Sequence, residues 1–283
     1  MSTTENNGGK TFVVTGASSG IGLALARALA RTAHRLVIVG RNEPRLRAAT
    51  EVTVSQKRNI EVIPILVDLG TLERVHSLAE QLERLPRIDV LIHNAGILPA
   101  QRRLTSDGFE ESFATNHLAP FVLNRALRRR LIASAPSRVV QVSAGLALGA
   151  SLDWEGDPHG ARFDPVSTYA RTKLWNLLAT LEFAAELEGS GVTVNAVHPG
   201  VVRTRLGEGA PGLPNAEARR GWLSPEGGAR GPLYLATAPE LEHTTGRFFD
   251  QTRELAIHLP ADAAKAVVQK TLAAMDQSRN AGL

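Results

Sequence analysis

Cysteine is absent from all 283 residues. Disulfides, thiolate nucleophiles and cysteine-held metals are thereby excluded, and a reducing, cytoplasmic setting is the expectation. No run of about 18 apolar residues occurs, and the opening stretch MSTTENNGGK lacks the apolar centre of a signal peptide. A soluble chain with no membrane partner is therefore expected. Lysine is scarce, 5 residues against 27 arginines, yet the formal net charge is only +4. The arginines are scattered. Their densest cluster, Arg128 to Arg130, falls where a helix is expected to end and where cations suit the helix dipole. A nucleic-acid binder would carry a basic stripe or a recognisable motif, and neither is legible. No metal-ligand set is read, and no repeat, low-complexity tract or linker interrupts residues 10 to 260.

What is present is an alternation. With 43% hydrophobic and 21% charged residues, the chain can bury a sizeable core. Apolar strands are expected over Thr11–Thr15, Arg35–Val39, Ile60–Val67, Val90–His93, Arg138–Ser143 and Thr193–His198. Helices are expected over Ile21–Ala33, Pro44–Ser55, Leu72–Leu85, within Phe109–Ala133, and over Thr168–Glu188. Continuous apolar strands separated by helices indicate a parallel sheet covered on both faces. With right-handed crossovers, the fold class is α/β, a doubly wound parallel sheet of Rossmann type in a single domain. The expected division is a flexible N-terminus over 1–9, the domain over 10–260, and a C-terminal helix and tail over 261–283. Ligands of such sheets sit at the carboxyl ends of the strands.

The first strand runs through Thr15-Gly-Ala-Ser-Ser-Gly-Ile-Gly22 straight into a helix. Gly16, Gly20 and Gly22 allow a tight turn and close backbone approach. Ser18, Ser19 and Ile21 complete a loop whose amides can hold a pyrophosphate at the helix start. Tyr169 and Lys173, four apart on an expected helix, share one face. A free tyrosine has a pKa of about 10, too high for a base at neutral pH; a nearby ammonium favours its phenolate.

The G-x-x-x-G-x-G spacing and Tyr169-Ala-Arg-Thr-Lys173 together resemble the short-chain dehydrogenase/reductase family. The resemblance covers about residues 10 to 255. It includes Asp68 and Leu69 in Val-Asp-Leu, Asn94-Ala95-Gly96, Asn116 in a helix, and Pro199-Gly200. It implies a nicotinamide cofactor held by the glycine turn, with Asp68 and Leu69 at the adenine. Asn94 would lie along the adenosine ribose, and Ala95 and Gly96 would keep that wall low. Pro199, Gly200, Val202 and Thr204 would hold the nicotinamide end. The resemblance also implies that Tyr169 exchanges the proton of the reacting oxygen and that Lys173 binds the nicotinamide ribose. Asn116 would anchor a water on the proton path. Members that use NAD usually carry an acidic residue at the exit of the second strand. Here that exit reads Val39-Gly40-Arg41-Asn42. No carboxylate is left to repel a 2′-phosphate, and Arg41 can grip one, so NADP(H) is the expected cofactor.

One position departs from the family. Its strand usually exits on two serines, the second of which meets the substrate oxygen. In Arg138-Val-Val-Gln-Val-Ser-Ala-Gly145 the pair is Ser143 and Ala144. Successive side chains of an extended segment face opposite ways. Either Ser143 serves as the donor through a local shift that Gly145 would allow, or the donor is missing.

Tyr169 to Thr204, Asn116-His-Leu-Ala-Pro-Phe121, Gly246-Arg-Phe-Phe249 and the insert between Ser143 and Tyr169 resemble the retinol-dehydrogenase and protochlorophyllide-reductase branch. Leu206 to Arg230, rich in Gly and Pro, is expected to form a substrate lid at about 205–230. Trp154 and Trp222 are candidates for an apolar substrate wall.

The leading expectation is an NADP(H)-dependent oxidoreductase acting on a carbonyl or alcohol of a fairly apolar small molecule. The alternatives are the same cofactor with non-redox acid/base chemistry (cyclisation, dehydration or isomerisation), and a non-catalytic NADP(H)-binding module. A homo-oligomer, dimer or tetramer, follows from the resemblance, whose members often pair through the helices around Asn116 and Tyr169.

Overall fold

The protein is described here as a computed structural model covering residues 9–152, 158–215, 217–260 and 262–281. Trp154 lies outside the described residues, as do residues 1–8 of the expected flexible N-terminus. One eight-stranded sheet has the order β3-β2-β1-β4-β5-β6-β7-β8. The strands are β1 Thr11–Thr15, β2 Arg35–Gly40, β3 Glu61–Leu66, β4 Val90–His93, β5 Ser137–Val142, β6 Val192–His198, β7 Phe248–Asp250 and β8 Arg253–Leu255. All neighbours pair in parallel except β7 and β8, which form an antiparallel edge. The doubly wound architecture follows from β-branched runs too apolar to leave either face wet. Phe12 and Val14 of β1 turn to one buried layer and Val13 to the other, as the two-residue period of a strand requires. β3 is the exception. It is partly exposed along its length and contains Pro64, which an edge strand tolerates because its outer side has no ladder to complete.

One face is covered by α1 (Gly20–Ala30), α2 (Glu43–Val54) and α7 (Pro225–Thr237). The other is covered by α3 (Leu72–Glu83), α4 (Ala119–Ala126), α5 (Arg128–Ala133), α6 (Pro165–Glu186) and α8 (Ala263–Ala281). Helix starts follow their cap chemistry. Asn42 accepts from the Arg45 amide at 3.1 Å, Asp164 from the Ser167 amide at 2.8 Å and Ser224 from the Gly227 amide at 3.2 Å. Each cap is followed within two residues by a proline fitted to the first helical turn.

Three sequence expectations are corrected. The arginine cluster opens α5 and does not close a helix; Arg130 instead donates to the Glu83 carbonyl at 2.8 Å. The last residues of the expected lid, 225–230, are the first turns of α7. Strands β7 and β8 lie in a stretch where none was expected. α8 packs on α6 through Val267, Ala274 and Met275, so a second subunit seated on the outer face of α6 would have to share it with α8. No helix among the described residues is long and apolar enough to cross a membrane.

Candidate active site

The strand order reverses between β1 and β4, the place where a doubly wound sheet opens a crevice. A cleft of about 630 Å³ lies there. Gly16, Ser18, Ser19, Gly20, Ile21 and Gly22 line its floor. Gly16 and Gly20 have left-handed backbone, with φ of 67° and 54°. A side chain at Gly22 would place its Cβ 2.3 Å from the Gly16 carbonyl oxygen and 2.4 Å from Asn94 Nδ2. Asn94 locks this turn, its amide donating to the carbonyls of Thr15 at 2.9 Å and Gly16 at 3.2 Å. The Asn94 and Ala95 amides in turn donate to Thr15 Oγ1. Ser19 sits at the α1 N-cap without closing a side-chain cap bond, and the first turn carries no acid. The helix start therefore presents open N–H groups and a positive dipole end to the cleft. The donor set fits an anionic dinucleotide.

At the far end, Arg41, Asp68 and Leu69 line the same cleft. So do Asn42 and Arg45, which the sequence reading missed. The signal was present: Asn42 caps α2, which fixes Arg45 on the first turn beside Arg41. A side chain at Gly40 would press on Ser18 Oγ at 3.1 Å. Arg41 Nη1 stands 3.9 Å from Glu111 Oε1.

Ala95 and Gly96, expected beside the adenosine ribose, and Pro199, Gly200, Val202 and Thr204, expected at the nicotinamide end, also line the cleft. Thr204 Cγ2 would lie 3.2 Å from a Cβ at Gly20, so the loop after β6 closes onto the glycine turn. Tyr169 and Lys173 project from α6 into the cleft, with Lys173 Nζ 5.7 Å from the centre of the Tyr169 ring. Lys173 Nζ donates to the Val142 carbonyl at 3.0 Å. Burial lowers the Lys173 pKa to about 8 and raises that of the Tyr169 phenol. Gly96 lies close beside this ammonium: a Cβ there would be in van der Waals contact with Lys173 Nζ at 3.4 Å and Asn116 Oδ1 at 3.5 Å.

Asn116 lies behind the cleft wall, in a π-helical turn over Phe113–Leu118. Its Oδ1 accepts from the Ile97 amide at 2.8 Å, while Nδ2 donates to the Ile97 carbonyl at 2.9 Å and to Thr172 Oγ1 at 3.1 Å. It ties the segment after β4 to α6. Beneath it, His117 joins Asn176 at 3.3 Å and Thr271 of α8 at 2.8 Å. His93, below Asn94, pairs with Asn124 at 2.7 Å. Desolvation lowers the pKa of both histidines to about 4.

Ser143 is fully engaged elsewhere. Its amide continues the ladder to the Val197 carbonyl at 2.8 Å. Its hydroxyl donates to the Lys173 carbonyl at 2.9 Å, and a hydroxyl has one proton to give. Ala144 is the residue that faces Tyr169, in an apolar patch with Leu98, Ala210 and Leu213. The ladder runs on through the Ser143 amide, and Gly145 opens a 3₁₀ turn only after Ala144. Trp222 is not among the residues that line the cleft; the Arg219 guanidinium stacks over its ring at 5.2 Å. Arg219 is itself buried and donates to the carbonyls of Pro214 at 2.7 Å and Gly207 at 3.3 Å. Arg205, Leu206, Gly207 and Glu208 of the expected lid line the cleft.

The family model described as short chain dehydrogenase matches residues 10–211. Retinol dehydrogenase 13 of Homo sapiens is 36% identical over 258 residues, covering 88% of this chain and 78% of that protein. Dehydrogenase/reductase SDR family member 13 of Bos taurus is 41% identical over 249 residues, covering 85% and 66% respectively. A solved structure described as a short chain dehydrogenase/reductase family protein superposes with a TM-score of 0.65 at 32% identity, covering 86% of this chain and 95% of the other.

Proposed function

The chain belongs to the short-chain dehydrogenase family, in its retinol-dehydrogenase-like branch, and is an oxidoreductase; from that premise we propose that it uses NADP(H) to reduce a carbonyl, or oxidise the corresponding alcohol, on a fairly apolar small molecule. The observation that carries this reading is that one cleft joins the open N-terminus of α1 to the Tyr169–Lys173 pair. Arg41 and Arg45 at its far end favour a 2′-phosphate, and the vacant Cβ position of Gly40 leaves no carboxylate to bind a free ribose diol.

When bound, the nicotinamide supplies or accepts the hydride, which carries both electrons. The chain's own task is the proton and the position. In reduction, Tyr169 gives its phenolic proton to the oxygen as the C=O π bond breaks. Its raised pKa keeps it protonated for that step at neutral pH. Lys173, ammonium below pH of about 8, anchors the nicotinamide ribose and stabilises the phenolate left behind. Asn116 holds Ile97 and Thr172 in register beside it. The patch of Leu98, Ala144, Ala210 and Leu213 around Tyr169 suits an apolar substrate body.

The test is a fluorescence titration with NADPH and NADH, followed by an absorbance assay at 340 nm on a carbonyl panel. Tighter NADPH binding is expected. The Tyr169→Phe variant should retain that binding and lose about 100- to 10,000-fold in kcat, the range for a positioned acid. Substrate conversion without NADPH loss would remove the redox reading.

A further inference from the structure

His198 is a titratable group at the reacting end of the cleft that the chemistry above leaves unused. It is the last residue of β6, and it lines the cleft with Ala144 and Tyr169. The edge of its ring lies against Gly145. A Cβ there would meet Nε2 at 3.1 Å, Cδ2 at 3.3 Å and Cε1 at 3.5 Å. Gly145 is therefore needed less for backbone freedom than for the room it leaves this imidazole. The other ring nitrogen, Nδ1, is buried and has no hydrogen-bond partner among the described residues. Burial holds the ring neutral, an effect that the nearby Asp250 only partly offsets. A neutral imidazole carries one N–H. An N–H buried without an acceptor costs more than an idle lone pair turned the same way, so the proton belongs on Nε2, at the cleft.

We infer that His198, through Nε2–H, gives the reacting oxygen of the substrate the second hydrogen bond that Ala144 cannot give. The rival donors are otherwise occupied. Ser143 donates to the Lys173 carbonyl, and Asn116 is held by Ile97 and Thr172. Thr115 lines the cleft, but its unpartnered hydroxyl is itself buried and not open to a substrate there. His198 undergoes no net change in the reaction. The hydride forms the new C–H bond, Tyr169 supplies the proton of the new O–H bond, and His198 steadies the negative charge that builds on oxygen between those events.

The inference rests on the oxidoreductase reading, and the experiment separates the two. NADPH affinity and kcat are measured for wild type, His198→Ala, His198→Gln and the double variant Ala144→Ser/His198→Ala, on the best carbonyl of the panel. His198→Ala is expected to lose about 100-fold in kcat, as for removal of one oxyanion donor, with NADPH affinity unchanged. His198→Gln should keep part of the rate. Ala144→Ser should restore at least about tenfold in the His198→Ala background by placing a hydroxyl where the family usually has one. A kcat for His198→Ala within about threefold of wild type, or no rescue by Ala144→Ser, overturns the inference. So does a tenfold change in NADPH affinity, which would put His198 in the cofactor site and can be read even without turnover. Failure of the wild type to oxidise NADPH on any carbonyl would instead be the failure of the redox reading.

Discussion

The two ends of the cleft are built by different means. At the phosphate end the working surface is backbone. Gly16, Gly20 and Gly22 bring the amides of α1 into the open, and Asn94 and Thr15 hold the turn shut behind them. The turn that presents them is hydrogen-bonded by the protein itself before a cofactor arrives. At the reacting end the working surface is side chains, carried by α6, by the exits of β5 and β6 and by the loop after β6. Ala144 stands where a hydroxyl is usual, His198 keeps a nitrogen unpartnered among the described residues, and Gly207, Pro214 and Trp222 are gathered around the buried Arg219. Contacts made by backbone cannot vary with sequence without breaking the fold. Contacts made by loop side chains can, which is how one cofactor site can serve many substrates.

The sharpest way to test this division is at Gly22. A Cβ there would sit inside contact distance of the Gly16 carbonyl and Asn94, and neither can retreat without unlocking the turn. Gly22→Val should weaken NADPH binding by at least about 100-fold, from overpacking of roughly 1–3 kcal/mol and more where backbone must move. Gly149 has nothing within 4 Å of an added Cβ. Gly149→Ala is the matched control, expected to leave both NADPH affinity and turnover intact. Equal losses in the two variants would show that the phosphate end is not the tighter structure.

A smaller effect is expected where the cofactor end does use side chains. Arg41→Ala/Arg45→Ala should weaken NADPH about 10- to 100-fold, since a charge-assisted hydrogen bond contributes roughly 1.5–3 kcal/mol and the two arginines share one solvent-facing phosphate. NADH affinity should be unchanged, because NADH has no 2′-phosphate to lose. Titration of both cofactors against the double variant reads this directly. A parallel loss for NADH would mean that the arginines shape the site and do not discriminate.

The same division explains what could be read from the sequence. β1 and β4 were legible to the residue, because an apolar run between polar ends has few other uses. The phosphate turn was legible because glycine has a physical meaning at each of its positions. Ser143 was legible only as a choice, since alternation along the strand places 143 and 144 on opposite sides but does not say what each meets. The Lys173 carbonyl that takes its hydroxyl lies 30 residues away. β7 and β8 were missed because three-residue strands carry no period. The helical end of the expected lid was misread because Gly227 and Gly228 suggest a loop. In α7, Gly228 and Gly231 are glycine for closeness: a Cβ would meet Val202 Cγ2 at 2.5 Å and the Gln251 carbonyl at 2.7 Å. Arg45 and His198 needed the cap and the strand exit to be taken together with the side chain each aims.

Acid should strain the layer beneath the cleft before it touches the phosphate turn. His93 and His117 are buried and neutral, their pKa values lowered from 6.5 to about 4 by desolvation. Between those values the unfolded chain binds protons that the folded one refuses. Their contribution to stability is therefore complete above pH of about 6.5 and is lost as pH falls towards 4, at about 1.4 kcal/mol per pH unit for each group. The thermal midpoint should drop between pH 7 and pH 5. His117→Gln should remove about half of that dependence, whatever it does to stability at pH 7. An unchanged slope in the variant would place the acid sensitivity elsewhere.

The smallest predicted effect lies at Arg219, and it bears most directly on whether the two ends are independent. Its guanidinium is buried, donates to the Gly207 and Pro214 carbonyls and stacks on Trp222. It thus closes a loop whose Leu206, Gly207 and Glu208 line the cleft and whose Ala210 and Leu213 pack near Tyr169. Arg219→Ala frees that loop and leaves the glycine turn untouched, so KM for the carbonyl should rise roughly three- to tenfold while NADPH affinity and kcat stay close to wild type. Lysine should not substitute, because an ammonium cannot reach two carbonyls and stack on an indole at once. Thr204 is a point where the loop after β6 meets Gly20. If Arg219→Ala weakens NADPH binding as well, that contact transmits the disorder, and the cofactor end depends on the substrate loop for part of its shape.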